Sequence, residues 1–132
     1  MSSSFYKERN QREMDDSKKK CSVLTFIFGK GYEKLHEPKC PDPDVEYVLV
    51  TDDRDLKSDV WKIVYDMSFE GMSGFEKCFR TRYNVFNYCS TDICMTVDGS
   101  IAVDKFPWPL YNKFQEGNYD ICLMPHPLWA DF

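Results

Sequence analysis

The chain has 132 residues, of which 42% are hydrophobic and 16% aromatic, and its net charge at pH 7 is −5. This length suits one domain with a single core and excludes two ordinary domains. The acidic balance excludes nucleic acid as the main partner, because phosphate backbones are bound by basic surfaces. It is compatible with carboxylates that gather around a divalent cation, and also with ordinary solubility charge.

Residues 1–20 are polar, carry both charge signs and end in three lysines. We expect a disordered polar leader there and a folded domain over residues 21–132. A peripheral membrane contact of the lysines with anionic lipid is the alternative to a solvated tail. The leader lacks the apolar segment of a secretory signal, and no apolar run approaches the roughly 18 residues that span a bilayer. The sequence therefore predicts a cytoplasmic protein with no transmembrane segment and with reduced cysteines.

The first half of the chain predicts three strands. Residues 21–28 are β-branched and aromatic, which is typical of a buried strand, and a turn with two glycines ends it. Three prolines within residues 38–43 indicate a loop. Residues 46–50 are a second continuous apolar run, and residues 61–65 alternate as expected for a strand near a sheet edge.

A helix is predicted to follow these strands. Ser73 and Glu76 have the spacing of a capping box, in which the serine caps the first turn. Helical spacing places four residues on one apolar face: Phe75, Cys78, Phe79 and Tyr83. The other sides of the helix then carry Lys77, Arg80 and Thr81.

The last third of the chain completes the predicted order β, β, β, α, β, α, β. Residues 91–97 are an apolar strand that continues briefly over 101–103. Pro107 marks the entry of a second helix, Gly117 its stop, and residues 119–124 a last strand. Continuous apolar strands separated by helices indicate an α/β fold with a mostly parallel sheet and flanking helices.

Ligands of open α/β sheets bind outside the carboxyl ends of the strands. Three of the predicted strands lead at these ends to Gly31, to Asp52 and Asp53, and to Asp98, Gly99 and Ser100. Glycines allow a base or a phosphate to approach closely, and carboxylates accept hydrogen bonds from ribose hydroxyls or base N–H groups. A carboxylate beside a glycine can also hold a divalent cation. A hairpin turn is the alternative interpretation of Asp98-Gly99.

Several short motifs keep a fixed order over residues 23–127. They are Gly31-Tyr32-Glu33-Lys34-Leu35, Tyr47-Val48-Leu49-Val50-Thr51-Asp52-Asp53, Trp61-Lys62-Ile63, Arg80-Thr81-Arg82-Tyr83-Asn84, Val97-Asp98-Gly99-Ser100-Ile101 and Met124-Pro125-His126-Pro127. Together they resemble a bacterial glycosyltransferase-like family that is similar to GT-A nucleotide-sugar transferases. The resemblance implies a GT-A-like, Rossmann-related sheet. It also implies transfer of a sugar from a nucleotide-sugar donor to a glycan or lipid-linked acceptor in polysaccharide biosynthesis.

The resemblance also implies the roles of individual residues. Asp98 is expected to be the catalytic residue and to hold Mn2+ or Mg2+. The expected substrate-binding residues are Gly31, Tyr32, Asp52, Asp53, Lys77, Arg80, Arg82, Ser100 and His126. Among these, the basic helix residues would neutralise the diphosphate leaving group.

Two departures from the family pattern bear on catalysis. Ser100 occupies the position of the second acid in Asp-x-Asp, and a hydroxyl is a poorer ligand for a hard cation. The chain also ends soon after Asp98, so we expect a domain truncated at its C-terminal end, with the donor half and without the acceptor half. Two alternatives are a non-catalytic nucleotide-sugar-binding module and a structural α/β domain whose aspartates are turn residues.

Overall fold

The computed structural model describes residues 19–31 and 33–123, which form a parallel sheet with helices packed on it. The strands are β1 (Cys21–Ile27), β2 (Val45–Thr51), β3 (Lys62–Tyr65) and β4 (Cys94–Thr96). The helices are α1 (Gly74–Tyr83), a 3-10 turn (Val85–Asn87) and α2 (Trp108–Glu116). All neighbouring strands pair in parallel, in the order β3-β2-β1-β4. The predicted α/β class, with a parallel sheet and flanking helices, is confirmed.

The sheet is built around β1 and β2, whose residues are all buried. They pair over their full length, from Cys21 opposite Val45 to Ile27 opposite Thr51. Strands that are covered on both faces need apolar side chains at successive positions, which explains their continuous apolar sequences. The strand predicted at residues 61–65 is confirmed as β3, and it lies at a sheet edge.

Each face of the sheet has its own apolar cluster. The first face carries Cys21, Val23, Ile27, Val45, Tyr47 and Leu49, and it is covered by residues before β2 and β3 and by α2. The second face carries Leu24, Phe26, Phe28, Val48 and Val50, and it is covered by the segment between β3 and β4, which contains α1. Parallel crossovers are right-handed, so connections that run in opposite directions along the sheet cover opposite faces.

The orientation of α1 differs from the prediction. Its start is confirmed, because the Glu76 amide donates a 3.2 Å hydrogen bond to Ser73 Oγ. The predicted apolar face is wrong for its aromatic residues, since Phe75 is 79% and Tyr83 72% exposed, whereas Cys78 of the same face packs against the second apolar cluster. Thr81 is fully buried instead, so the polar side of the helix meets the sheet.

Buried polar contacts explain why α1 lies this way. Lys77 donates a 2.8 Å hydrogen bond from Nζ to Asp52, at the end of β2. Thr81 donates from its hydroxyl to the Lys77 carbonyl oxygen at 2.8 Å, so its polar group is satisfied inside the interface. Phe75, Phe79 and Tyr83 then form a row of exposed rings with centroids 6.2 and 4.6 Å apart.

The exposure of this row predicts a small effect of mutation. Phe75→Ser should change the free energy of unfolding by about 0.5 kcal/mol or less, because little apolar surface leaves water at this position. Phe28→Ser is the matched control, since Phe28 is buried under α1, and it should cost about 3–5 kcal/mol. Urea unfolding measures both values. A loss above about 2 kcal/mol for Phe75→Ser would show that the predicted face is buried after all.

The end of the described chain also differs from the prediction. α2 ends at Gly117 as predicted, and Asn118 follows in the left-handed conformation with φ 52°. The predicted last strand is wrong over residues 119–123, where Ile121 and Leu123 are 72% and 79% exposed and do not pack on the sheet. The fourth strand is shorter than predicted, and residues 101–103 form no strand. No helix in the described part of the chain is long and apolar enough to cross a membrane.

Candidate functional site

The carboxyl ends of the four parallel strands lie along one edge of the sheet. β1 leads into Gly29 and Gly31, which have φ values of 91° and 75°, a region that favours glycine. β2 leads into Asp52, β3 into Asp66 and β4 towards Asp98. This edge therefore combines a glycine turn with a carboxylate after each of the other three strands.

The order of the strands identifies one position on this edge as a candidate ligand site. β1 lies between β2 and β4, and the chain reaches these two neighbours over opposite faces of the sheet. In doubly wound sheets the crevice at such a switch point is where ligands bind. We call the group Gly29, Gly31, Arg82, Asp98 and Gly99 the switch-point site.

Gly99 fixes the path of the chain at this site. A Cβ atom on Gly99 would lie 2.8 Å from the Phe26 carbonyl oxygen and 2.9 Å from Ile27 Cγ1. Only glycine allows the backbone after β4 to lie this close to the end of β1. The alternative of a hairpin at Asp98-Gly99 is wrong, because no strand follows the turn at residues 101–103. Asp98 is exposed beside this contact.

Asp98 and Arg82 both act on the Cys78 thiol of α1. Burial and the negative charge of Asp98 raise the pKa of the Cys78 thiol, whereas the Arg82 guanidinium lowers it. Both charges therefore act on the same part of α1. Arg82 lies over the Phe26 ring, with its guanidinium carbon 5.4 Å from the ring centroid. Arg82 is also exposed, so its positive charge is accessible next to the end of β1.

Asp52 has a different environment, because both of its carboxylate oxygens are engaged. The Gly29 amide donates a 3.0 Å hydrogen bond to Oδ1, and Lys77 donates a 2.8 Å hydrogen bond to Oδ2. Burial opposes the charge of Asp52, but these bonds outweigh it and hold the pKa of the carboxyl below its usual value. The pair is mostly buried, with 18% of the Lys77 side chain and 16% of the Asp52 side chain exposed. Asp52 therefore ties the glycine turn to α1.

The other sequence-predicted residues lie around this centre. Asp53 begins the loop after β2 and accepts a 3.0 Å hydrogen bond from the Asp55 amide. Ser100 and Arg80 are exposed, and Gly31 has open space where a side chain would lie. Tyr32 and His126 lie outside the described residues.

Carboxylates at this edge do not form a metal cage on their own. Among the described residues, no group of three or more His, Cys, Asp or Glu side chains is arranged to hold a metal ion. Mg2+ is usually bound by one or two carboxylates together with substrate phosphates and water. Asp98 is the exposed carboxylate of the switch-point site and is the residue there that could hold such a cation.

The structure places two further acids in hydrogen-bond networks that the sequence does not predict. Glu46, predicted as part of an apolar strand, is only 4% exposed. Asp66 accepts hydrogen bonds from the Tyr88 hydroxyl and the Ser68 amide, the latter at 2.9 Å. Burial opposes the charge of Asp66, yet these bonds hold the pKa of its carboxyl below the usual value. Ser68 is close to Asp66 in sequence, but Tyr88 and the partners of Glu46 lie more than 20 residues away, so no local pattern signals those contacts.

An open cavity of about 560 Å³ lies elsewhere in the described part of the chain. It is lined by Glu37, residues 56–59 and the side chains of Trp61, Ile63 and Tyr65. β2 separates β3 from the switch point, and none of the sequence-predicted site residues lines this cavity. It is therefore distinct from the switch-point site.

The fold and this edge define a parallel α/β domain with a polar, glycine-containing switch point. Comparison with protein-family models, curated proteins and solved structures gave no match for the chain. The functional argument therefore depends on the geometry of the site and on the motifs of the sequence.

Proposed function

We propose that this domain binds a nucleotide-sugar at the switch-point site and belongs to a metal-dependent glycosyltransferase of the GT-A type. The observation that carries the proposal is the close packing of Gly99 against the end of β1, beside the exposed carboxylate of Asp98. The strand order β3-β2-β1-β4 supports it, because dinucleotide-binding sheets share this order on both sides of their ligand crevice.

Each residue of the switch-point site has its own role in the proposed binding. Neither Gly29 nor Gly31 has a side chain, so a base or a ribose can approach the backbone closely at these two residues. Asp98 would hold Mn2+ or Mg2+ against the diphosphate, and the bound cation would neutralise the charge of the leaving group. Arg82 would provide a second positive charge for the same purpose, without need of metal. The sugar would pass to a glycan or lipid-linked acceptor.

The roles expected of Lys77 and Asp52 change under this proposal. Lys77 already has Asp52 as its counterion, so it contributes less positive charge to a diphosphate than Arg82 does. Asp52 acts instead through the Gly29 amide, because its hydrogen bond fixes the glycine turn. We therefore assign these two residues to positioning and Arg82 to direct contact.

A non-catalytic nucleotide-sugar-binding module is the second candidate. Ser100 stands in place of a second acid, and the carboxylate of Asp52 is already engaged by Lys77. A single carboxylate is enough to bind a cation with a diphosphate, whereas catalysis requires that the transition state be bound more tightly than the substrate.

The proposal predicts how Asp98→Asn changes nucleotide binding. With Mn2+ present, the variant should bind UDP- or GDP-sugars at least about tenfold more weakly, because an amide is a poor ligand for a hard cation. Without metal, the variant should bind no more weakly than the wild type, since the removed carboxylate repels the diphosphate. Isothermal titration calorimetry with and without Mn2+ measures both effects.

Asp92→Asn is the matched control, because Asp92 is an exposed aspartate before the other end of β4. It should leave binding unchanged. The absence of binding to any UDP- or GDP-sugar in the wild type would exclude both the transferase and the module. Slow hydrolysis of a bound nucleotide-sugar without acceptor would favour the transferase over the module.

A further inference from the structure

Two cysteine thiols meet inside the second face of the domain. Cys89 follows the 3-10 turn and is 2% exposed, and Cys94 is the first residue of β4. Their Sγ atoms are 3.4 Å apart. All six cysteines are free, and this is the one sulfur–sulfur contact among the described residues.

Neighbouring hydrogen bonds hold the segment between the two thiols. Ser90 donates to Glu46 on β2 from its amide at 2.9 Å and from its hydroxyl at 2.6 Å. Thr91 and Ser22 share a hydroxyl–hydroxyl hydrogen bond of 2.6 Å, and the Ser22 amide donates to the Ile93 carbonyl oxygen at 2.9 Å. Both ends of the segment are thus bound to the sheet, and the thiols face each other as a result.

We propose that Cys89 and Cys94 form a dithiol site that low-molecular-weight disulfides, such as oxidised glutathione, convert reversibly to an intramolecular disulfide. An S–S bond is about 2.05 Å long, so the two sulfurs need to approach each other by little more than about 1 Å. This proposal does not depend on nucleotide binding.

The chemistry is a thiol–disulfide exchange in two steps. One thiolate of the pair attacks one sulfur of the small disulfide, whose S–S bond breaks, and the departing thiolate takes up a proton. The other thiolate of the pair then attacks the protein sulfur of the mixed disulfide and releases a second small thiol. Two protein thiols are oxidised, and one small disulfide is reduced to two thiols.

The environment of the pair limits the speed of these steps. The hydrogen bond with Cys89 and burial both raise the pKa of Cys94, so little of the Cys94 thiolate is present in the folded protein. Because Cys89 is buried, the reagent reaches it only when the segment before β4 opens. The exposed Cys40 and Cys122 should therefore react first, but in the described part of the chain neither contacts another thiol with which to form an internal bond.

The disulfide would close a short ring at the entry of β4. Closing such a ring lowers the entropy of the unfolded chain, which should raise Tm by about 5 °C. The same segment holds the Glu46 hydrogen bonds, so oxidation also makes the start of β4 harder to detach from the sheet.

Peptide mapping of the full-length chain tests the proposal. The reduced protein is equilibrated with oxidised glutathione, quenched in acid, denatured, alkylated and digested. We expect Cys89 and Cys94 to escape alkylation in one peptide that has lost two hydrogen atoms, Cys40 to carry glutathione, and dithiothreitol to reverse both changes. Thermal unfolding should show the higher Tm of the oxidised form, also in Cys40→Ser but not in Cys89→Ser.

The same experiment on the wild type can also contradict the proposed disulfide. If Cys89 and Cys94 are alkylated, or carry glutathione, after Cys40 has been fully modified, the pair does not form a disulfide. A peptide that links either residue to another cysteine would also overturn the proposal. No nucleotide enters this experiment, so its failure is independent of the proposed function.

Discussion

Glu46→Ala is expected to lower the free energy of unfolding by about 3–5 kcal/mol. Glu46 is 4% exposed and accepts three hydrogen bonds, one from Ser22 Oγ at 2.9 Å and two from Ser90. Alanine removes all three bonds and leaves the Ser90 amide and hydroxyl without an acceptor in a poorly hydrated place. Since domains are stable by only about 5–15 kcal/mol, this loss should be visible as a large shift of the urea midpoint.

Two further variants distinguish the loss of these hydrogen bonds from other effects of Glu46→Ala on stability. Glu46→Gln keeps the length of the side chain and one acceptor oxygen, and its amide can donate to Ser90 Oγ, so it should cost about 1 kcal/mol. Glu70→Ala removes an exposed glutamate and should change stability by about 0.5 kcal/mol or less. A loss of less than about 1 kcal/mol for Glu46→Ala would mean that the buried bonds do not form.

Lys77→Met is expected to lower the free energy of unfolding at pH 7 by about 3 kcal/mol. Methionine has a similar length but no charge, so Asp52 is left mostly buried without its counterion. The residual exposure of the pair places the expected loss at the lower end of the range for buried ion pairs. Urea unfolding measures the loss, and the double variant Asp52→Asn/Lys77→Met should recover much of it because no buried charge remains.

The effect of Lys77→Met should depend on pH with a defined sign. The pKa of Asp52 is lowered in the folded protein, so its stabilising contribution is present above the unfolded pKa of about 3.9. This contribution is lost as the pH falls through the lower folded pKa, when the carboxyl becomes neutral. The difference in stability between wild type and variant should therefore shrink between pH 7 and pH 3.

A surface pair provides the control for this experiment. Lys39 and Asp104 are 3.7 Å apart, but 81% and 44% of their side chains are exposed. Lys39→Met makes the same chemical change there and should cost about 0.5 kcal/mol or less at every pH. Equal losses for Lys77→Met and Lys39→Met would show that the Asp52–Lys77 pair is solvated and does not hold α1 on the sheet.

Local patterns predicted most elements of the fold. β1 and β2 are continuous apolar runs because both of their faces are covered, and such runs are visible without tertiary information. The cap at Ser73 and the stop at Gly117 are also local, since each depends on residues within one helical turn. The rule that ligands bind at the carboxyl ends of parallel strands places Asp52 and Asp98 at one edge from the sequence alone.

The candidate site was predicted only in part. The sequence placed Asp98 and Gly99 at a strand end, but the contact of Gly99 with Phe26 depends on the pairing of β4 with β1. Lys77 and Arg82 both lie on α1 and both carry a positive charge, so the sequence alone does not distinguish their roles. The structure distinguishes them, because Lys77 is paired with Asp52 and Arg82 is exposed over Phe26.

The sequence by itself determined the α/β class, the central strands and the turn residues at their ends, because these depend on apolar runs and on backbone preferences of neighbouring residues. Only the tertiary structure decided which side of α1 faces the sheet. Thr81 is buried there, whereas Phe75 and Tyr83 are exposed. The tertiary structure also decided that Glu46 is buried and that Cys89 meets Cys94. The physical reason is that the fold decides which groups meet, as Lys77 meets Asp52 and Ser90 meets Glu46, and such buried polar contacts outweigh local apolar periodicity.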